Sequence, residues 1–190
     1  MFHGVRYLPL SALGLSQIYL NSEKIANIEV WFDPANLMNF EPLPVHDFGN
    51  GRFTLTDGHS RAFVAWRHGV NEIPVVYDMD EIVIGETGQM LYREDLIWCK
   101  RFGLTYIWDL QDRILSPTEY RERWIMRCDK SYNLLTKTTQ TQREIWCLQY
   151  PCLHLYGASE DVKTIYFEND REESLAVLFD PNGDAPGQNC

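Results

Sequence analysis

The sequence predicts an α+β protein, and three observations carry that reading. The first 80 residues alternate in the order strand, helix, strand, strand, helix, strand, with turn residues at each change of period. The remainder mixes a long capped helix with two strand runs that read as a hairpin. Composition is that of an ordinary globular chain, 45% hydrophobic and 23% charged, with 13% aromatic residues, which excludes intrinsic disorder. At 190 residues the chain has length for about 1.3 domains, so one medium domain or a small domain with an appendage is expected. No repeat with a period of about 20–50 residues is present.

Residues 5–8 form an apolar run that ends at Pro9, which predicts an edge strand. Residues 11–17 read as a turn. Asn21 or Ser22 caps a helix whose apolar positions Ile25, Ile28, Trp31 and Phe32 recur about once per turn. That helix must stop before Asp33-Pro34, because a proline pushes its predecessor out of the α region. Residues 43–46 and 53–56 are strands, joined by a hairpin turn at Gly49-Asn50-Gly51. A helix then runs to His68, with Gly69 as the residue that ends it, and residues 72–77 form the next strand. Residues 85–88 read as a connector and residues 93–101 as a helix. Ser116-Pro117-Thr118-Glu119 combines a cap, a proline at the first position and a glutamate that closes a capping box; the helix it starts should reach about Leu135. Residues 136–142 read as a loop and Ser159 as a turn or helix start. Residues 164–168 and 174–179 are strands, and the Gly/Pro/Asn-rich segment from Pro181 reads as a disordered tail. The expected domains are therefore residues 1–85, an α+β extension over 86–180, and the tail 181–190.

Charge and cysteine content narrow the functional classes. The net charge of −10 repels duplex nucleic acid and anionic membranes on average. Residues 113–143 nevertheless carry seven Lys/Arg against three Asp/Glu, and residues 144–190 two against nine. These are either solvated faces that complement each other or docking surfaces. The longest apolar runs are about five residues and the N-terminus lacks the pattern of a signal peptide, so no membrane association and a cytoplasmic location are expected. Five cysteines, at positions 99, 128, 147, 152 and 190, show no disulfide framework. Cys147, Cys152 and His154 lack a fourth ligand for zinc, so buried free thiols are expected and no metal site is assigned. The six tryptophans read as core.

The chemistry-bearing stretch is Asp57-Gly58-His59-Ser60-Arg61, where a strand feeds a glycine turn into a helix N-terminus. Such a terminus presents unpaired N–H groups and a partial positive charge, which suits an anion. Gly58 lets backbone approach a ligand, and Arg61 in the first turn can fork onto a phosphate. His59 can donate to the same anion or move a proton, and Asp57 can bind Mg²⁺ or a hydroxyl. The same residues also admit a purely structural reading: Asp57 as the cap, His59 bonded across the turn, and Arg61 paired with Asp57 or Asp47.

The turn, its helix and the following Gly69-Val70-Asn71-Glu72-Ile73-Pro74-Val75 together resemble the ParB/sulfiredoxin superfamily, over residues 5–80. Leu8-Pro9-Leu10-Ser11-Ala12-Leu13 and Pro42-Leu43-Pro44-Val45 fit that family's first two strands. The resemblance implies a ParB/sulfiredoxin-like N-terminal unit. It does not imply sulfinic-acid repair, since the reactive cysteine of sulfiredoxins is replaced by His59-Ser60. The single arginine of the turn departs from the arginine-rich turn of CTP-binding partition proteins. Asp57-Gly58-His59-Ser60-Arg61 is closest to the Asp-Gly-His-His-Arg of free-serine kinases. Those kinases place a glutamate general base after the first strand, where this chain has Ser16-Gln17; Glu23 and Glu41 are the carboxylates that could stand in. The resemblance thus implies a nucleotide or small phosphorylated ligand (ADP, ATP or CTP with Mg²⁺) held by Gly58, His59, Ser60 and Arg61. Phosphoryl transfer to a small hydroxyl substrate would have Asp57 and His59 as catalytic residues. The alternative is a non-catalytic module that binds a protein partner through residues 90–180. Nucleic acid is the least favoured partner.

Overall fold

The computed structural model describes residues 3–179; the tail expected from Pro181 lies outside them. The chain is α+β and divides into two compact units, Met1–Arg121 and Glu122–Cys190.

The first unit is built on a four-stranded sheet of order β1-β5-β3-β4, formed by β1 (Val5–Pro9), β3 (Leu43–Asp47), β4 (Phe53–Leu55) and β5 (Glu72–Tyr77). β1 lies antiparallel on β5, with Val5 opposite Val76, and its exposed outer side makes it the edge strand the sequence predicts. β3 and β4 form the antiparallel hairpin, and β3 runs parallel to β5. A parallel pair needs a crossover, and α2 (His59–Arg67) supplies it. α2 buries Ala62, Phe63, Val64 and Ala65 completely, as expected of a helix with apolar residues on most sides. α1 (Ser22–Glu29) packs beside it through Ile25 and Ile28. Asn21 caps α1, its side chain accepting from the Glu23 and Lys24 N–H groups. The helix ends at Glu29, ahead of Trp31, which is consequently half exposed.

Two expectations need correction in this unit. The segment 85–88 is not a connector: α3 (Glu81–Ile84) is followed at once by α4 (Glu86–Arg101). Gly88 serves close packing instead, since a Cβ there would lie 1.7 Å from the Ile82 carbonyl oxygen. The unit also extends to residue 121, not 85. Trp98, Cys99, Leu104, Ile107 and Leu110 join the buried residues, and β6 (Ile114–Leu115) pairs in parallel with β2 (Leu20–Asn21). Arg113 Nε donates to the Ile18 carbonyl at 2.8 Å and fixes the same segment. The predicted capping box is present: α5 (Pro117–Tyr120) starts at Ser116, whose hydroxyl accepts from Glu119 N–H.

After a π-helical turn at Arg121–Ile125, the second unit places α6 (Met126–Lys137) and α7 (Gln140–Gln149) with the antiparallel sheet β7 (His154–Ala158), β8 (Thr164–Glu168) and β9 (Ser174–Leu178). The 136–142 segment is therefore largely helical, broken only around Thr138-Thr139. The unit has its own core of Leu134, Trp146, Tyr150, Ala158, Ile165 and Phe167. Within it Arg127 and Glu168, both buried, make two bonds of 2.6 Å. Among the described residues the expectation of buried thiols holds for Cys99 alone; Cys128 is half-buried, Cys147 and Cys152 are exposed, and Cys190 lies outside the described residues. Of the tryptophans, 98, 124 and 146 are core and the others are only partly buried or exposed. Among the described residues no three His, Cys, Asp or Glu side chains converge on a metal position, and no helix is long and apolar enough to cross a membrane.

Candidate functional site

The glycine turn sits where the sequence puts it, between β4 and α2. Gly58 has φ +79°, the left-handed conformation that L side chains adopt at a cost, and it precedes the first residue of α2. Space also demands glycine: a Cβ would lie 2.6 Å from Leu43 Cδ2 and 3.2 Å from an Arg61 terminal nitrogen. The Gly58 carbonyl accepts the first intrahelical bond, from Ala62 N–H at 2.9 Å. The N–H groups of His59, Ser60 and Arg61 are therefore the ones a helix leaves over. Asp57 does not cap them; the terminus has no side-chain cap. The Asp57 carboxylate is largely exposed and stands 3.9 Å from Arg61.

This terminus opens into a cavity of about 320 Å³, lined by Asp57, Gly58, His59, Ser60 and Arg61 from the turn and by Gln17, Lys24, Asn27, Ile28 and Tyr120 from elsewhere in the same unit. The volume is at the small end of ligand sites, which span about 300–1,000 Å³. All five residues of the sequence motif are thus brought together.

Arg61 bonds the Glu41 carbonyl and its carboxylate, both at 3.2 Å. The Glu41 side chain is 83% exposed and that of Arg61 18% exposed, so this pair contributes about 0–1 kcal/mol. A ligand phosphate could replace the carboxylate at small cost. The pairing with Asp47 that the sequence allowed is replaced by Glu41 and Asp57, and Asp47 instead accepts from the Gly49 and Gly51 N–H groups in the hairpin turn.

His59 is buried, and its Nε2 accepts from the Ser16 backbone N–H at 3.2 Å. That bond assigns the ring hydrogen to Nδ1, which has no hydrogen-bond partner among the described residues. Burial lowers the His59 pKa to about 4, against a smaller opposing pull from Asp57. The ring is thus neutral at ordinary pH: it can donate one hydrogen bond but holds no imidazolium proton to give.

The residues that sequence reasoning missed are Lys24, Asn27 and Tyr120. Lys24, Asn27 and Ile28 sit three and four positions apart and share one face of α1, a spacing that can be read from the chain. Their meeting with the glycine turn depends on the packing of α1 against α2. Lys24 also lies over the Tyr120 ring, 5.8 Å from its centroid. Gln17 does line the cavity, whereas Glu23 and Glu41, the carboxylates considered as stand-ins for a base, do not.

Comparison with known proteins adds no relative: no protein-family model and no curated protein sequence matches the chain.

Proposed function

We propose that the first unit is a ParB/sulfiredoxin-like domain that binds a phosphate-bearing ligand, with ADP, ATP and CTP as the expected ligands. The observation that supports this best is the uncapped N-terminus of α2, entered through left-handed Gly58 and opening into a cavity that also presents Lys24 and Arg61. Three leftover N–H groups, the helix dipole and two cations converge on one volume, an arrangement suited to phosphate oxygens. The Ser60 hydroxyl adds a neutral donor at the same end, whereas His59 Nδ1 is fully buried. The donor set also accommodates Mg²⁺ arriving with a nucleotide. Asp57 is the single carboxylate of the lining among the described residues, and Mg²⁺ commonly needs only one or two carboxylates besides phosphate oxygens and water. The ion would neutralise phosphate charge there.

Phosphoryl transfer to a small hydroxyl is the catalytic form of this reading, with Asp57 either holding Mg²⁺ or accepting the acceptor's proton. A non-catalytic module is the second reading. Gln17, which cannot take up a proton, favours it at the inner wall. Exposed Ile145 and Leu148 on α7 support a protein partner for the second unit.

The test is a thermal-shift panel of AMP, ADP, ATP and CTP, with and without Mg²⁺, followed by a turnover assay with any nucleotide that binds. Ligand at a hundredfold its Kd should stabilise the folded unit by about 2.7 kcal/mol and raise its Tm. Steady nucleotide consumption selects the transferase form, and binding without turnover selects the module. No shift with any of the four sinks nucleotide binding in either form and leaves partner capture through the second unit as the reading that stands.

A further inference from the structure

Gln17 is held in one orientation, and that orientation determines what it offers a ligand. Its Nε2 donates to the Tyr19 carbonyl and, at 3.1 Å, to the Tyr120 hydroxyl. An amide nitrogen has two hydrogens, and these two bonds use both. The carbonyl partner also fixes which end of the amide is nitrogen, because only the N–H end can face an oxygen that solely accepts. Oε1 is then the hydrogen-bonding atom that Gln17, a residue of the cavity lining, has left to offer, and it makes no hydrogen bond among the described residues.

The backbone around Gln17 is fixed as well. Ser16 N–H donates to His59, the Ser16 hydroxyl donates to the Leu55 carbonyl at 2.7 Å, and the buried Cys99 thiol donates to the Gln17 carbonyl at 3.7 Å. The wall that carries Oε1 is therefore tied directly to the first residue of α2. One end of the cavity donates N–H groups and positive charge. The Gln17 wall offers a neutral acceptor.

We infer that Gln17 is a specificity residue that accepts a hydrogen bond from a free hydroxyl of the ligand, so that the site selects phosphate esters carrying a hydroxyl over those lacking one. The inference rests on the phosphate-binding reading above. The hydroxyl is either the ribose of a nucleotide or that of a small phosphorylated polyol; both offer the same donor beside a phosphate. Tyr120 is the positioning residue, since its hydroxyl takes one of the two hydrogens that aim the amide.

Calorimetry on the full chain with two matched pairs tests this. One pair is ADP and 2′,3′-dideoxy-ADP; the other is glycerol 3-phosphate and propyl phosphate. In wild type, the hydroxylated member of at least one pair should bind about tenfold tighter than its partner, the size of one well-made neutral hydrogen bond. Which pair shows the preference identifies the source of the hydroxyl. Gln17→Met should bring that ratio close to one, and Tyr120→Phe, which keeps the ring, should lower it to about threefold. If Gln17→Met does not fold, Tyr120→Phe decides. A ratio within about twofold in both wild-type pairs, or a preference that survives both variants, overturns the inference while leaving phosphate binding intact. Failure of all four compounds to bind wild type also overturns the inference; failure of ATP and CTP as well, or binding indifferent to Arg61→Ala, overturns the phosphate-binding reading itself.

Discussion

An alanine at position 58 would put a Cβ 2.6 Å from Leu43 Cδ2, on backbone held at φ +79°. Leu43 is completely buried, so its methyl cannot swing away freely. Gly58→Ala should therefore cost about 1–3 kcal/mol in urea unfolding. A loss under about 0.5 kcal/mol would mean the turn relaxes without strain. His59 makes a second prediction at this scale. Its folded pKa, about 4, lies below the 6.5 of an unperturbed histidine. Between these values the unfolded chain takes up a proton that the folded chain refuses. The contribution is complete above pH 6.5 and is lost as pH falls to about 4, by on the order of 3 kcal/mol. His59→Asn should flatten that slope; parallel pH profiles for the two proteins would clear His59 of the effect. The Asp57–Arg61 stretch was legible because a strand, a glycine and a helix start are local signs. Arg61's main partner was not, since Glu41 comes from the loop before β3.

Among the elements, α1 has the most direct consequence for the site. Its first turn is tied to Asn21, and it carries Lys24 and Asn27 into the cavity. Asn21→Ala should cost about 1 kcal/mol of stability. It should also weaken ligand binding, because fraying that turn moves Lys24; retained affinity with lost stability would separate the cap from the site. The strands and α1 were readable from period and turn chemistry. Two elements were not. α7 has few apolar residues and buries only Trp146, so its hydrophobic stripe is faint. Its start was nonetheless written in the chain, since Thr139 and Gln142 form a capping box. For α4 the sequence predicts a start at Arg93 after a connector over residues 85–88, whereas Gly88 lies inside the helix and lets backbone approach the Ile82 carbonyl.

For the whole molecule, the sequence predicts a boundary near residue 85, whereas the first compact unit ends at Arg121. The cause is non-local: β2 pairs with β6 across about half the chain, and no local pattern announces a partner so distant. Each unit has its own buried core, and the second is pinned by the buried Arg127–Glu168 pair. Arg127→Met would leave Glu168 buried without its cation and should cost that unit about 3–5 kcal/mol, measured as lost near-ultraviolet circular dichroism on heating. A change under about 1 kcal/mol would show that Glu168 protonates or finds water at little cost. The central claim concerns the first unit. The most direct measurement is calorimetric titration of ADP, ATP and CTP, each with Mg²⁺, into the full chain and into Arg61→Ala. At least one nucleotide should bind wild type at a single site and lose tenfold or more in the variant, about 1.4 kcal/mol or more for a charge-assisted contact. No binding, or equal binding by both proteins, would contradict a phosphate site at the N-terminus of α2.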